Sequence, residues 1–308
     1  MRKISLVIFY AAAWSLGGLL PMVFSPTDGR CQSIQVMFKP AAYRMDSIGT
    51  ARIEYRYGYS WLRDTTARMS ADGGLVSGDS ADVERGMMLL QCGGPSGVSR
   101  FYSYDRFYLD SLMLAADGGG GAALDVWSLP AGTAFTVYKN FPEPGRMTST
   151  DIIGTENYLM EEAVPDFGWR VLDEWKEVLG YRVRRAECSF RGRDYVAWFA
   201  PELPLSEGPW KFCGLPGLIL EVYDTRLQYH YVLQGLSVAD SGIRVEMPDA
   251  QYIRTDVEKY LRTLRRYNEN PMLIISEVDV SAISSVRVSK PADGSDPFKL
   301  KFDFQEIL

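Results

Sequence analysis

The chain has 308 residues, with 33 Lys and Arg residues against 39 Asp and Glu residues, which gives a formal net charge of −6. Nucleic acid and anionic lipid surfaces both reward clustered Lys and Arg, so this balance argues against either as a partner. The 46% hydrophobic and 13% aromatic content is typical of a folded globular protein. The single histidine, His230, excludes sites that need two imidazoles, such as a two-histidine zinc centre.

The N-terminus has the layout of a secretory signal peptide. Arg2 and Lys3 precede an apolar run over residues 4–20, which is shorter than the roughly 20 residues that a membrane-spanning helix needs. We predict a signal peptide over residues 1–31 and a mature protein that is periplasmic or secreted and does not span the membrane. A lipid anchor on Cys31 is the alternative.

Residues 32–308 contain no linker of distinct composition and no internal repeat, so we predict a single β-rich domain. Residues 51–62 alternate between large apolar and mostly polar side chains, with Tyr55, Tyr57 and Tyr59 on the apolar side. This period of two is typical of a strand with one buried face. Further strands are predicted over residues 86–92, 135–139, 152–161, 169–175, 181–190, 195–200, 218–223, 227–234 and 298–305.

A fold that is mainly β follows from these strands: a large curved or barrel-like antiparallel sheet with one or two covering helices. A short helix is predicted over residues 107–113, with Asp105 as its cap. Within residues 181–190 the apolar phase slips at Arg184 and Arg185, which predicts a β-bulge there.

Three cysteines remain after the predicted cleavage, namely Cys92, Cys188 and Cys213. In an oxidising compartment a Cys188–Cys213 disulfide is one expectation, and it would stabilise the fold by roughly 3 kcal/mol. Buried apolar thiols are the other. No Cys-x-x-Cys spacing indicates a metal site, and we predict no metal and no cofactor.

The segment over residues 176–224 carries a distinctive motif, GLPGLI, at Gly214–Ile219. It is preceded by FRGR at 190–193, AWF at 197–199 and GPWKF at 208–212. With these features the segment resembles the GLPGLI family of exported proteins from Bacteroidetes-type bacteria. The resemblance implies export, and a fold similar to the curved-sheet lipoprotein carriers of the periplasm. It implies no particular reaction, since that family has no established activity.

The motif itself has a structural and a functional interpretation. Gly214 and Gly217 permit a positive φ or a close backbone approach, and Pro216 fixes φ between them, so that a tight turn leads into a strand buried on both faces. The functional alternative places Trp198, Trp210 and Lys211 at the mouth of a cavity. Two indole rings and an ammonium suit an amphipathic ligand. The candidate binding residues are Trp198, Trp210, Lys211, Gly214, Pro216 and Gly217.

A second helix is predicted near the C-terminal end of the strand-rich region. Large apolar residues recur at helical spacing from Val257 to Tyr267, Thr255 and Glu258 form a capping box, and Asn270 with Pro271 ends the run.

Catalysis has little support in the sequence. His230 has no Gly-x-Ser-x-Gly serine to pair with, and we predict no catalytic residue. The preferred hypothesis is a non-catalytic cell-envelope protein that binds an apolar or amphipathic ligand or a segment of an envelope partner. One alternative is a secreted hydrolase that uses carboxylates, and another is an assembly factor for outer-membrane machinery. The candidate carboxylates are Glu161, Glu162, Asp173, Glu174, Glu202, Glu207, Glu221 and Asp224.

Overall fold

The computed structural model describes residues 26–27, 30–31, 44–62, 68–69, 75–77, 83–117, 132–154, 156–269 and 305–306. Its strands are β1 (Pro26–Thr27), β2 (Arg30–Cys31), β3 (Arg44–Leu62), β4 (Arg68–Met69), β5 (Leu75–Ser77), β6 (Val83–Cys92), β7 (Ser99–Ser103), β8 (Thr136–Lys139), β9 (Arg146–Ile153), β10 (Glu156–Ala163), β11 (Arg170–Val178), β12 (Tyr181–Phe190), β13 (Arg193–Ala200), β14 (Leu218–Asp224), β15 (Tyr229–Asp249) and β16 (Tyr252–Thr255). Its helices are α1 (Tyr104–Asp117) and α2 (Val257–Glu269).

One 12-stranded sheet dominates the structure, in the order β11-β12-β13-β14-β15-β3-β6-β7-β8-β9-β10-β16. Its neighbours pair antiparallel, except for β10 and β16, which are parallel. Among the described residues β11 and β16 are the two edges, so the sheet is open. The prediction of a mainly β fold with a large curved sheet is confirmed, in the open form and not as a closed barrel.

The long strands β3 and β15 form the centre of the sheet. The period of two predicted for residues 51–62 is present: Tyr55 and Tyr57 are buried in the core, whereas Arg52 and Arg56 are exposed. Tyr57 also donates a hydrogen bond of 2.7 Å to the carbonyl of Ile219, which ties β3 to the motif strand β14.

Several strand predictions need correction. Residues 152–161, predicted as one strand, belong to β9 and β10, because the chain turns at Gly154, where φ is +63°. Within the 12-stranded sheet, β7 and β16 have no counterpart among the predicted strands. Strand β7 is buried at all its positions, so its sequence has no polar and apolar alternation to detect.

An irregularity is present at the predicted position, Arg184 and Arg185, since Val171 pairs with Ala186 and Trp175 with Arg184, but the extra residues belong to the partner strand. Strand β12 pairs with β13 without interruption. The register shift lies in β11, between Val171 and Trp175. The phase slip in the sequence therefore marks a change of register, but in the neighbouring strand.

Both helices are present, with different caps from those predicted. Ser103 Oγ accepts from Arg106 N at 3.2 Å, and Asp256 Oδ1 accepts from Lys259 N at 2.7 Å. Asp105 instead accepts from Met87 N at 2.7 Å, which fastens α1 to β6. The predicted caps were wrong by one or two residues because several side chains near each helix start can accept such a bond.

Cys92, Cys188 and Cys213 are all buried and free, so the Cys188–Cys213 disulfide is not formed in this structure. Burial raises the pKa of the Cys92 and Cys188 thiols to about 12, which leaves them unreactive near neutral pH.

Some predictions fall outside the described residues. They include residues 1–25 of the predicted signal peptide, the helix stop at Asn270 and Pro271, and all of the strand 298–305 except Gln305. Of the helices that the structure describes, none has the length and apolar character to cross a membrane.

Candidate functional site

A cavity of about 170 Å³, which we call the first cavity, lies between the sheet and helix α2. Its lining is mainly aromatic and aliphatic with few polar groups, as is usual for small-molecule sites. The lining residues are Tyr59, Met88, Phe101, Thr133, Phe135, Asp151, Met160, Trp210, Lys211, Tyr229, Tyr231, Val257, Tyr260, Leu261, Leu264, Gln305 and Glu306.

The sheet side of the first cavity is held rigidly by ring packing. Tyr59 and Tyr231 stack with their ring centroids 4.9 Å apart, and Phe101 meets Tyr231 edge-on at 5.8 Å. Tyr231 also donates a hydrogen bond of 3.0 Å to Gln305 Oε1. Tyr59 and Tyr231 lie on the adjacent strands β3 and β15, and Phe101 lies on β7 of the same sheet, so the wall forms with the sheet and needs no ligand to assemble.

Helix α2 closes the other side. Val257, Tyr260, Leu261 and Leu264 follow the spacing i, i+3, i+4, i+7, so they share one helix face, and that face lines the cavity. The sequence periodicity predicted this apolar face but could not identify what it covers.

Lys211 lies at the polar end of the first cavity, but its ammonium is already neutralised. Its Nζ is 2.7 Å from Glu162 Oε1 and also forms an ion pair with Glu306. Arg191 contacts the same two carboxylates. Burial acts to raise the pKa of Glu162. The charges and hydrogen bonds of Lys211 and Arg191 lower it by more, so the pKa of Glu162 lies below its ordinary value. A ligand carboxylate would have to displace Glu306 to reach Lys211.

Asp151 supplies the titratable group that faces the first cavity from β9. Burial raises its pKa to about 6, against the opposing effects of hydrogen bonds from Tyr260 and Ile152 N and of the Arg106 charge. The Tyr260 hydroxyl binds Asp151 Oδ2 and so links helix α2 to β9. A carboxyl of this kind can gain or lose a proton near neutral pH.

The variant Asp151→Asn tests this environment. The folded protein holds the Asp151 proton more tightly than the unfolded chain does, so wild-type stability should fall as pH rises from about 4 to about 6. We expect Asp151→Asn to remove that part of the pH dependence and to be more stable above pH 7, by about 1–3 kcal/mol. Chemical denaturation at pH 4, 5, 6 and 8 measures the free energy of unfolding of both proteins.

The exposed Asp240, also changed to Asn, is the matched control and should retain the wild-type pH profile. An Asp151→Asn profile that runs parallel to that of the wild type would show that the carboxyl titrates normally.

The predicted binding residues separate into two groups. Trp210 and Lys211 line the first cavity, whereas Trp198, Gly214, Pro216 and Gly217 do not. Trp198 is 9% exposed and packs beside Lys176, with 4.5 Å between Nζ and the ring centroid. Trp198 therefore has neither the exposure nor the position of a residue at the cavity mouth. Of the three tyrosines singled out in β3, Tyr59 lines the cavity and the other two belong to the core.

His230 belongs to a separate buried contact. Its Nε2 is 3.0 Å from Glu221 Oε1, and Lys176 binds the other oxygen of that carboxylate. Burial opposes ionisation of Glu221, but the hydrogen bonds from His230 and Lys176 bring its pKa below the ordinary value. Among the described residues, no serine or cysteine forms a hydrogen bond with His230, so the His230–Glu221 contact is an internal hydrogen bond of the described structure.

The GLPGLI motif forms a corner between β13 and β14. Gly214 has φ +92°, and Gly217 lies against the backbone of Ala200 and Pro201, so both glycine roles predicted from the sequence are present. Leu218 to Val222 are buried on both faces of the sheet, as predicted. Pro216 is exposed at the corner. The structural interpretation of the motif is therefore the one that the geometry supports.

The candidate carboxylates are engaged in internal contacts. Glu207 binds Lys139 at 2.8 Å, and Asp224 binds the buried Arg193 at 2.9 Å and caps the turn before β15. Glu161, Glu162, Asp173, Glu174 and Glu221 lie within ion-pair distance of a basic side chain, and Glu202 accepts from a backbone amide. Among the described residues, no group of three or more His, Cys, Asp or Glu side chains could hold a metal ion.

Sequence reasoning missed Asp151, Tyr231 and Tyr260 as site residues. Tyr260 could have been found from the sequence, because it belongs to the apolar face of the predicted helix. Nothing in the sequence marks Asp151, since an aspartate within a strand-like segment cannot be told from a solvated surface charge.

These features define an open β-sheet protein with an aromatic cavity between the sheet and a helix. Residues 190–221 match the model of a family described as a protein of unknown function (Porph_ging). The match runs from the end of β12 through the GLPGLI corner into β14, and it contains the flanking features on which the family resemblance rests. A search of curated proteins gave no match.

Among solved structures, the chain is similar to PNGF-II in two crystal forms, in space groups P21 and C2. Each has a TM-score of 0.44 and 11% sequence identity, and the similarity covers 71% of this chain. It covers 34% of the PNGF-II chain in the first form and 33% in the second, so this chain spans about a third of that protein.

Proposed function

We propose that this protein is an exported, non-catalytic binding module that holds a small apolar or amphipathic ligand in the first cavity. The observation that carries the proposal is the mainly aromatic and aliphatic lining between the sheet and helix α2. The N-terminal basic and apolar layout supports export to the periplasm or the exterior.

The cavity volume limits the ligand. At about 170 Å³ the first cavity is close in size to engineered cavities of about 150 Å³ that bind benzene. It suits one aromatic ring, a short branched chain or a single inserted side chain of a partner. Long acyl chains need a larger site, because drug-sized ligands occupy cavities of roughly 300–1,000 Å³.

The polar groups indicate that the head of the ligand is uncharged. Lys211 and Arg191 are matched by Glu162 and Glu306, so this end of the cavity carries no excess charge. Gln305 Nε2 is buried without a hydrogen-bond partner in the described structure. A hydroxyl or carbonyl on the ligand could accept from that amide, and a hydroxyl could also donate to Asp151.

Filling the cavity tests the proposal. The variant Leu264→Trp adds an indole ring inside the first cavity, so we expect it to weaken the binding of indole at least tenfold while leaving the fold intact. Isothermal titration calorimetry with indole, phenol and palmitate measures the binding, and palmitate should not bind to either protein. The variant Arg266→Trp adds the same ring to the exposed side of α2 and should bind indole like the wild type.

Two results would contradict the proposal. One is a wild-type protein that binds neither indole nor phenol at millimolar concentration. The other is Leu264→Trp with unchanged indole affinity.

The two alternatives, a hydrolase that uses carboxylates and an assembly factor for outer-membrane machinery, stay predictions. The edge strand β11 has a register irregularity and exposed charged side chains such as Asp173 and Glu174. Such features protect a sheet edge from strand addition, so β11 offers the assembly hypothesis little support.

A further inference from the structure

A second cavity, of about 220 Å³, lies beside the first and shares Thr133 and Asp151 with it. Arg100 on β7 lines this second cavity and is only 8% exposed. No described carboxylate forms an ion pair with Arg100, and its Nε is buried without a hydrogen-bond partner in the described structure. The Tyr138 hydroxyl interacts with the guanidinium but brings no negative charge. A buried charge without a counter-charge costs several kcal/mol, so a guanidinium in this state is expected where a ligand supplies the missing anion.

The carboxylates near Arg100 are engaged elsewhere. Asp110 binds Arg106 at 2.9 Å, and Glu246 binds Arg244 at 3.3 Å. Glu54 accepts from Gln91 at 3.0 Å. Asp151, at the boundary of the two cavities, accepts from Tyr260.

The orientation of Arg100 restricts how an anion can bind. Its Cζ lies 3.9 Å from the ring centroid of Tyr102, so one face of the guanidinium is covered by an aromatic ring. Arginine in this arrangement presents its N–H groups in the guanidinium plane, and these match the two oxygens of a carboxylate or phosphate. Thr136 and Thr150 line the same cavity. The hydroxyl of Thr150 can donate a further hydrogen bond to an anion, and that of Thr136 can do so once it gives up its 3.4 Å bond to the carbonyl of Ala134.

We propose that Arg100 binds a small oxyanion in the second cavity, either a phosphate or the carboxylate of an organic ligand. This site goes beyond the proposed function, because it takes a charged group in a different cavity. The variant Leu264→Trp, which fills the first cavity, should leave oxyanion binding unchanged.

Titration of the full chain with potassium phosphate and with sodium benzoate tests the proposal, at constant ionic strength and with sodium chloride as the baseline. We expect at least one of the two anions to raise the melting temperature of the wild type with saturation. In Arg100→Met the affinity for that anion should fall at least tenfold. The anion that raises the melting temperature, whether phosphate, benzoate or both, is the oxyanion that the site accepts.

Two further measurements separate binding from folding. Without anion, Arg100→Met should melt no lower than the wild type, because it removes an unpaired buried charge and keeps a similar apolar volume. The exposed Arg170, changed to Met at the far edge of the sheet, should keep the full anion response. The proposal is overturned if neither anion shifts the wild-type melting temperature, or if the shift persists in Arg100→Met.

Discussion

Replacing Gly217 by alanine is expected to lower the free energy of unfolding by about 3 kcal/mol or more. A Cβ atom at this position would lie 2.2 Å from the carbonyl oxygen of Ala200 and 3.0 Å from the Cα of Pro201. Both are backbone atoms, and Ala200 pairs with Leu218 in the sheet, so the clash can be relieved only by opening the junction of β13 and β14.

Gly214→Ala is the matched control within the same motif. The nearest atom to its added Cβ is 3.8 Å away, on the Trp169 side chain, so the methyl group has room. The remaining cost is that of a left-handed backbone at φ +92°, about 1–2 kcal/mol. Chemical denaturation followed by circular dichroism compares the two variants. Equal losses would show that the close approach at Gly217 is not the reason for that glycine.

The second large effect is expected for Lys139→Met, with a loss of about 3–5 kcal/mol. Lys139 is 2% exposed, and its Nζ binds Glu207 at 2.8 Å, the carbonyl of Gly208 at 2.8 Å and the carbonyl of Phe212 at 2.9 Å. The ammonium therefore fastens the loop before the GLPGLI corner to β8. Without it, a carboxylate and two carbonyl groups lose their donor.

Two further variants make the Lys139 prediction specific. Adding Glu207→Met to Lys139→Met should recover part of the stability, because the double variant also removes the Glu207 carboxylate that Lys139→Met leaves without its partner. Lys259→Met removes an exposed lysine paired with Asp256 and should cost less than about 1 kcal/mol. Urea unfolding of the four proteins measures these differences. A Lys139→Met loss no greater than that of Lys259→Met would contradict the role assigned to the buried ammonium.

Together these variants bear on how the motif relates to the cavity. Trp210 and Lys211, which line the first cavity, precede the corner in the same loop. If Gly217 and Lys139 hold that loop in place, variants of either residue should also weaken ligand binding, although neither residue lines the first cavity.

Local patterns predicted the elements that depend on residues close together in the chain. The alternation in β3, the apolar face of α2 and the two glycine roles at the GLPGLI corner were all readable, because each reflects backbone geometry over a few residues. Where several local solutions were equally good, as at the helix caps and at the bulge near Arg184, the sequence favoured the wrong one.

The sequence by itself determined that the chain forms strands with one apolar side, a covering helix and a tight glycine corner. Only the tertiary structure decided that Tyr59, Trp210 and Leu264 share one cavity while Trp198 does not. The same holds for the raised pKa of Asp151 and for the lack of a carboxylate partner for Arg100 among the described residues. Their physical cause is burial and charge pairing among strands distant in sequence, which no spacing along the chain can specify.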